Sequence, residues 1–509
     1  MSQKSATPAS SNVSQKFSML GAALSLLVPV ASGGCGNSGS GEPTVPAVEM
    51  VAGAMLPRTG PNANLDWVSA VELALFDINN GIAKAKMAKP VHFHIDEQDT
   101  ASNEATANTT MGIYSGEGAK IVVTEASGAA IGSNKWNYSP DNMAAGTQIP
   151  VVSFTATSAT LNKVDATDPD ATRQAALQDM SNWFFRTCQI SDLLAPVRLA
   201  QWFTQGPNGT AGNGDVNGDG QVKVVWIGTN DTSTQASITG DQKAATAFVA
   251  TRPAGSPGYI AERVTFDPGA DPTTFDYAAA ITAATDGLDE TGLTSLATAP
   301  DLIVNKALPT VAIPFIKAYK QNTNNKTAIF QDGSFRRNTL LVALGSSADG
   351  QIGVSNIAYT HNPSGELFKT EEQALTGFAP AAYESQGYDA MAISLLAVIK
   401  ASITASEASA TGGPADVTPT MVRDALTDLN HDASDPAVVQ FGTGATELAK
   451  GIKAMMDHKA VDYLGASGDV NFDALGNVKN LGVLWKIQGG QFVETTTFDC
   501  VSNVSCPAQ

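Results

Sequence analysis

Residues 48–80 read VEMVAGAMLPRTGPNANLDWVSAVELALFDINN. The mostly apolar run Val48 to Met55 predicts a buried strand, ended by the turn Pro57-Arg58-Thr59-Gly60-Pro61. Asp66 stands where it can cap a helix reaching Asn79. Val68, Val71, Leu75 and Ile78 lie on one face of that helix, and Gly81 is its expected stop. Strand, tight turn and amphipathic helix open a βαβ unit.

The alternation continues on the C-terminal side. Val91 to Ile95 reads as a strand and Ser102 to Tyr114 as a polar helix. Lys120 to Thr124 is a strand, an irregular stretch follows, and Ile149 to Phe154 is another strand. The pattern then restarts. A helix is expected over Asp192–Phe203, a strand over Val222–Gly228, a helix over Gln242–Ala250 and a strand over Asp301–Asn305. A helix over Val311–Lys320 and a strand over Thr327–Gln331 complete that section. A long helix runs from Ser385 to about Thr404, and Gly468 to Val493 alternates around Gly476-Asn477 and Gly489-Gly490 as a hairpin or meander. Two α/β units with parallel sheets are the simplest account.

A chain of 509 residues exceeds one compact core and suits two lobes, and its 43% apolar content supports folded cores. The net charge of −19, with no Lys/Arg cluster legible along the sequence, argues against nucleic acid as a partner. Lys4 and Lys16 precede an apolar run, Phe17 to Val30, then Ala31-Ser32-Gly33-Gly34 and Cys35, the parts of an export signal. The run is shorter than the roughly 20 residues a membrane-spanning helix needs, and no other stretch reads as apolar enough. Small residues directly before Cys35 resemble a bacterial lipoprotein signal, with Ser32 where Leu is usual. Cys35 would then be lipidated; ordinary cleavage leaving a free thiol is the alternative. Gly36 to Pro46 reads as a flexible tether. Export favours pairing Cys500 with Cys506, leaving Cys188 as a small buried hydrophobe.

Several blocks, in order, resemble the type I periplasmic binding proteins, specifically the leucine/isoleucine/valine-binding group of branched-chain amino-acid ABC transporters. They are Pro57-Arg58-Thr59-Gly60, Ala70-Val71-Glu72-Leu73-Ala74 with Asp77-Ile78-Asn79, and Ile149-Pro150-Val151-Val152-Ser153 with Ala156-Thr157. Phe185-Arg186-Thr187, Gly387-Tyr388-Asp389-Ala390 and Gly468-Asp469-Val470-Asn471-Phe472-Asp473 follow. The likeness covers about Val48 to Val493. It implies an α/β fold of two Rossmann-like, doubly wound lobes joined by a three-crossing hinge. On that pattern 1–34 is a lipoprotein-type signal peptide and 35–46 the tether. Residues 47–187 begin lobe 1 and 188–358 lobe 2, while 359–460 complete lobe 1 and 461–509 complete lobe 2 with its tail.

The resemblance also places a site between the lobes. Thr155, Ala156 and Thr157, after a lobe 1 strand, match the turn that holds a ligand carboxylate, and Ser127 matches a second carboxylate-binding loop. Asp332, after a lobe 2 strand, matches the acid that pairs with a ligand ammonium. The family's aromatics are absent from Thr229–Thr234, and Lys306 stands where another would lie. The implied function is capture of a small polar ligand, an amino acid or related carboxylate, for an ABC permease in the inner membrane. The protein would be periplasmic or at the cell surface, lipid-anchored, with no cofactor and no enzymatic role. A sensory receptor on the same fold is the alternative, and an enzyme a more distant one. Asp215-Val216-Asn217-Gly218-Asp219-Gly220 resembles half of a calcium loop, but Trp226 stands where the twelfth-position Glu belongs. His92 and His94 share a strand face without a third ligand, so no metal is expected.

Overall fold

Val48–Met55 (β1) is a strand with the bounds its sequence implies. The structure is a computed structural model. It describes residues 46–499 except 60–62, 162–167, 189–199, 201, 205, 207–213, 231, 270, 287–299, 324, 326, 332, 409–410 and 480. The first sheet joins β1 to Val91–Gln98 (β2), Val122–Thr124 (β3), Val151–Ser153 (β4) and Phe184–Arg186 (β5). Its order is β2-β1-β3-β4-β5, and every neighbouring pair is parallel. The second sheet holds Gln221–Thr229 (β6), Gly258–Phe266 (β7), Leu302–Asn305 (β8), Ala328–Gln331 (β9) and Ile352–Asn356 (β10) in the parallel order β7-β6-β8-β9-β10. Val439–Phe441 (β11) and Val461–Tyr463 (β12) form a short parallel pair. The antiparallel hairpin Leu481–Gln488 (β13) and Gln491–Asp499 (β14) extends the second sheet beyond β10.

Both sheets thus have the same strand order, with a topological switch point between β1 and β3 in one and between β6 and β8 in the other. In open parallel sheets such points, at the carboxyl ends of the strands, are where ligands bind. Leu65–Ala85 (α1), Glu104–Glu117 (α2), Ser127–Asn137 (α3), Pro140–Ala145 (α4) and Ala171–Gln178 (α5) connect the first sheet. Thr232–Val249 (α6), Ala278–Asp286 (α7), Pro309–Gln321 (α8) and Asn338–Leu344 (α9) serve the second, and Pro363–Thr376 (α10), Glu384–Ala408 (α11), Pro419–Thr427 (α12) and Gly444–Met456 (α13) return to the first.

The central strands β3, β4 and β8 are buried along their length because both faces of each sheet are covered there. Val123 and Val152 pack with α1 and α11, while their neighbours Val122 and Val151 pack with α2 and α3 on the other face. In the second sheet Val225, Ile227 and Ile303 face one core and Val224, Trp226 and Val304 the other. α11 is long and apolar enough to cross a membrane by length and composition, which the sequence reading did not register, but it lies buried in the first lobe's core.

Local rules fail where tertiary contact overrides them. The cap of α1 is Asn64, whose side chain accepts the Asp66 N–H at 3.2 Å, not Asp66. The helix runs through Gly81 to Ala85 because α13 packs there: a Cβ on Gly81 would lie 3.2 Å from the Leu448 Cβ. The stretch expected to be irregular contains α3 and α4, and β7 is an edge strand that the sequence reading passed over. The hairpin is β13–β14 around Gly489-Gly490, and Val470 and Phe472 lie outside any strand. Val461, Tyr463, Ala466 and Val470 pack in the first lobe's core, so the chain re-enters the second sheet at β13 rather than at residue 461.

Asp389, fully buried near the start of α11, ties this core together. It accepts the Tyr463 hydroxyl at 2.9 Å, the Ala466 and Ser467 N–H groups at 2.8 and 2.7 Å, and the Ser467 hydroxyl at 2.6 Å. Its neighbour Tyr388 donates to Asp77 Oδ2 at 2.7 Å and accepts the Gly444 N–H at 3.0 Å. Each buried donor left without an acceptor costs about 1–3 kcal/mol. Asp389→Ala is therefore expected to destabilise the protein by at least about 3 kcal/mol, read as a fall in the urea midpoint.

Candidate functional site

Three segments meet at the carboxyl end of the first sheet: the turn after β4, the start of α3 after β3, and the start of α1. Phe154 packs edge-on against Trp67 of α1, with ring centroids 5.6 Å apart. Thr155 follows, 8% exposed, and its hydroxyl has no hydrogen-bond partner. The hydroxyl of Thr124, fully buried at the end of β3, has none either. A buried polar atom without a partner costs free energy unless a ligand or water meets it.

The expected backbone donors are engaged within the chain. Ala156 N–H donates to Ser153 Oγ at 3.2 Å, and Thr157 N–H to the Thr155 carbonyl at 2.9 Å. Ser158 N–H donates to Ser127 Oγ at 3.1 Å. Ser127 therefore braces the turn that carries Thr155, Ala156 and Thr157, and these four residues come together. A short 3₁₀ turn, Ala159–Leu161, follows, rather than a long helix with open N–H groups.

The side chain that holds this turn is Arg186, fully buried at the end of β5. Its Nη1 donates to the carbonyls of Ala156 and Ser158 at 2.9 and 3.1 Å, and Nη2 to Leu161 at 3.2 Å. Its Nε donates to Asn477 Oδ1 at 2.6 Å. The turn's carbonyls thus face Arg186. The same region is the hinge: Arg186 N–H donates to Gly476, Thr187 Oγ1 to the Gln386 carbonyl at 2.8 Å, and Gln386 Nε2 to Ile357 at 3.2 Å. Ile357 N–H donates to Leu481 at 2.9 Å, so all three crossings are hydrogen-bonded sideways.

Glu125 stands beside Ser127, fully buried, accepting the hydroxyls of Thr100 and Ser102 at 2.9 and 3.0 Å. Burial pushes its pKa up to about 7 against those bonds. The fit is close: a Cβ on Gly128 would lie 2.5 Å from the Ser102 carbonyl oxygen.

From the second lobe, Arg336-Arg337-Asn338 reaches across. Arg337 is buried, lies 4.7 Å over the Trp67 ring, and donates Nη1 to the Ala63 carbonyl at 3.2 Å. Burial lowers its pKa to about 10, opposed by the fields of Tyr383, Asp66 and Glu125. The Arg336 carbonyl accepts Ala382 N–H at 3.1 Å, and Asn338 Nδ2 donates to Ala379 at 3.0 Å. Trp67, Glu125, Arg186 and Arg337 thus belong to the site although the sequence reading assigned none of them a role there. Arg186 stood inside a recognised block; the others carried no local signal.

Lys306 is buried 3.4 Å from the Asp241 carboxylate, and Thr229 and Thr234 pair hydroxyls at 3.2 Å. Asp332, Cys35, Cys500 and Cys506 lie outside the described residues. Cys188 is a free, buried thiol pushed by burial up to about 12. Among the described residues no group of three or more His, Cys, Asp or Glu is placed to hold a metal. In the Asp215 loop, that carboxylate accepts the N–H groups of Gly218, Asp219 and Gly220, and Asp219 pairs with Lys223.

No protein-family profile and no curated protein sequence matches this chain. Solved structures do. The chain is similar to a leucine-binding protein from Thermotoga maritima, with 15% identity and a TM-score of 0.58 over 88% of this chain and 98% of that one. It is similar to a branched-chain amino-acid transporter substrate-binding protein from Streptococcus pneumoniae in complex with isoleucine, with 15% identity and a TM-score of 0.56 over 88% and 100%. It is also similar to an ABC-transporter solute-binding protein from R. palustris in complex with benzoate, with 16% identity and a TM-score of 0.56 over 91% and 99%. The chain has the two-lobed α/β fold of these type I periplasmic binding proteins.

The site region and the seam beside it concentrate buried acids. Burial is the first cause in each case: it raises Asp66 to about 6, Glu125 to about 7 and Glu372 to about 8, and lifts Glu384 well above the carboxylate range. Groups with folded pKa values above their unfolded ones stabilise fully below about pH 4, and that contribution is lost as pH rises through about 6 to 8. The midpoint of thermal unfolding followed by circular dichroism is expected to be higher near about pH 5 than near about pH 8.

Proposed function

We propose that this chain is an extracytoplasmic solute receptor that closes two lobes around a small carboxylate and delivers it to an ABC permease. The observation that carries this reading is the pair of buried, unpartnered hydroxyls of Thr155 and Thr124, held at the carboxyl ends of the neighbouring strands β4 and β3, next to the switch point between β1 and β3. Isoleucine and benzoate, bound by two proteins of this fold, share a carboxylate and differ in the ammonium. Hydroxyl donors that await an acceptor suit the shared group. An amino acid is the first ligand to test. On that reading Thr155, Ala156, Thr157 and Ser127 meet the carboxylate, and Asp332 of the second lobe meets the ammonium.

The protein acts by binding rather than catalysis. Its five histidines sit beside carboxylates, not nucleophiles: His92 and His94 near Glu49, His361 near Glu366, His431 near Asp428 and His458 near Glu407. Export and lipidation at Cys35, with a Cys500–Cys506 bridge at the tail, complete the proposal. A lipid mass on Cys35 in the mature protein, and resistance of both tail cysteines to alkylation without reductant, are the expected results.

A thermal-shift screen with leucine, isoleucine and benzoate tests the ligand. A true ligand at 100 times its Kd stabilises by roughly 2.7 kcal/mol. Loss of a hydrogen bond to a charged group costs about 1.5–3 kcal/mol, so Thr155→Val and Thr157→Val are each expected to weaken binding about ten- to a hundredfold by calorimetry. Asp332→Ala should weaken amino acids and spare simple carboxylates. Unchanged affinity in all three variants would place the ligand elsewhere.

A further inference from the structure

The end of the first lobe away from the cleft carries a feature that ligand capture leaves unused. The last turn of α1 and the last two turns of α13 lie side by side, with Gly81 allowing the close approach. Between them is an open pocket of about 420 Å³ lined by Lys84, Lys450, Lys453 and Lys459, with Asp457 as its one acid. Lys84 Nζ donates to Thr446 Oγ1 at 2.9 Å. Lys450 and Lys459 lie 3.3 and 3.8 Å from Glu447 and Asp457, in pairs too exposed to bind firmly. Lys453 is exposed and has no ion pair among the described residues. Four ammonium groups against two carboxylates, Asp457 of the lining and Glu447 beside it, form a local positive surface on a chain of net charge −19.

The chain enters the fold at the same end. Val48 N–H donates to the Pro90 carbonyl at 2.9 Å, and Val48 pairs with Val91, the first residue of β2, a few residues beyond Lys84 and Lys86. In a βαβ unit helices end where the following strands begin, so this end lies opposite the carboxyl ends of β3 and β4 that carry the candidate site.

We propose that the pocket of Lys84, Lys450, Lys453 and Lys459 is a docking surface for anionic phospholipid headgroups. It seats the anchored protein on the membrane with its cleft turned to the aqueous side, in a pose suited to capture. The inference rests on the Cys35 anchor of the proposed function. An acidic protein held near an anionic bilayer is repelled over most of its surface, so a basic face on the tether side sets its resting orientation. The contact is electrostatic and reversible, which leaves the protein free to turn for delivery.

The full-length lipidated protein, inserted by its own anchor into vesicles, tests this by lysine acylation and mass spectrometry. With phosphatidylglycerol-containing vesicles, Lys450, Lys453 and Lys459 are expected to label several-fold less than with pure phosphatidylcholine. Exposed Lys243 and Lys317 in the second lobe should label equally in both. Salt at about 1 M, where the screening length falls to about 3 Å, should abolish the protection. The surface substitutions Lys450→Glu and Lys453→Glu together should abolish it at Lys459. Equal labelling of the pocket in both vesicle types would overturn the proposal. Equal protection by inorganic phosphate with neutral vesicles would also overturn it, assigning the pocket to free anions. Flotation with neutral vesicles reads the anchor separately: a chain that fails to float lacks it, and protection by anionic vesicles would still uphold the surface.

Discussion

A guanidinium withdrawn from water must find oxygen for its N–H groups, and one left unmatched costs several kcal/mol. Arg186 meets this demand with the carbonyls of Ala156, Ser158 and Leu161 and the side chain of Asn477. The first three acceptors define the conformation of the turn after β4. The fourth belongs to the third crossing between the lobes. One buried cation therefore determines both the shape of the candidate binding turn and its attachment to the hinge. The crossing and the turn are joined through Nε and Nη1 of a single side chain.

Around that element the molecule uses charge unevenly. Its acids are not confined to the solvated surface: Asp66 and Glu125 are buried within the field of Arg337, Glu384 within that of Arg336, and Glu372 against Ser69. One buried oxygen on each of Asp66, Glu372 and Glu384 has no hydrogen-bond partner. At the far end of the first lobe the balance is reversed, with lysines gathered where the chain enters.

In the second lobe, the residues after β6 and β8 bond among themselves. Lys306 is spent on Asp241, and the hydroxyls of Thr229 and Thr234 are spent on each other. Neither offers the ligand an aromatic surface. What reaches the first lobe instead is Arg337, stacked on Trp67. The group that the second lobe presents to Trp67 is therefore cationic.

The elements with strong periodicity were legible. β1 has the bounds read from its residues, and β6, β8, β9 and α11 lie within a few residues of expectation, because burial on two faces makes a strand apolar throughout. The order of short blocks was enough to anticipate two doubly wound lobes. α3 was not legible, because its glycines and asparagines disfavour a helix; it is held as one by its tight fit against Ser102 and Glu104. The grouping of Ser127 with Thr155 to Thr157 was implied by the family resemblance, and the two segments do follow neighbouring strands of one sheet. That Ser127 would be turned to the Ser158 N–H did not follow, nor that Arg186 would take the turn's carbonyls, nor that Arg337 would cross to Trp67. By itself the sequence determined the repeating strand–helix pattern, since periodicity is a property of neighbouring residues. Only the tertiary structure decided which buried polar groups were satisfied and which were left open, because a hydrogen bond between residues hundreds of positions apart leaves no trace in local pattern.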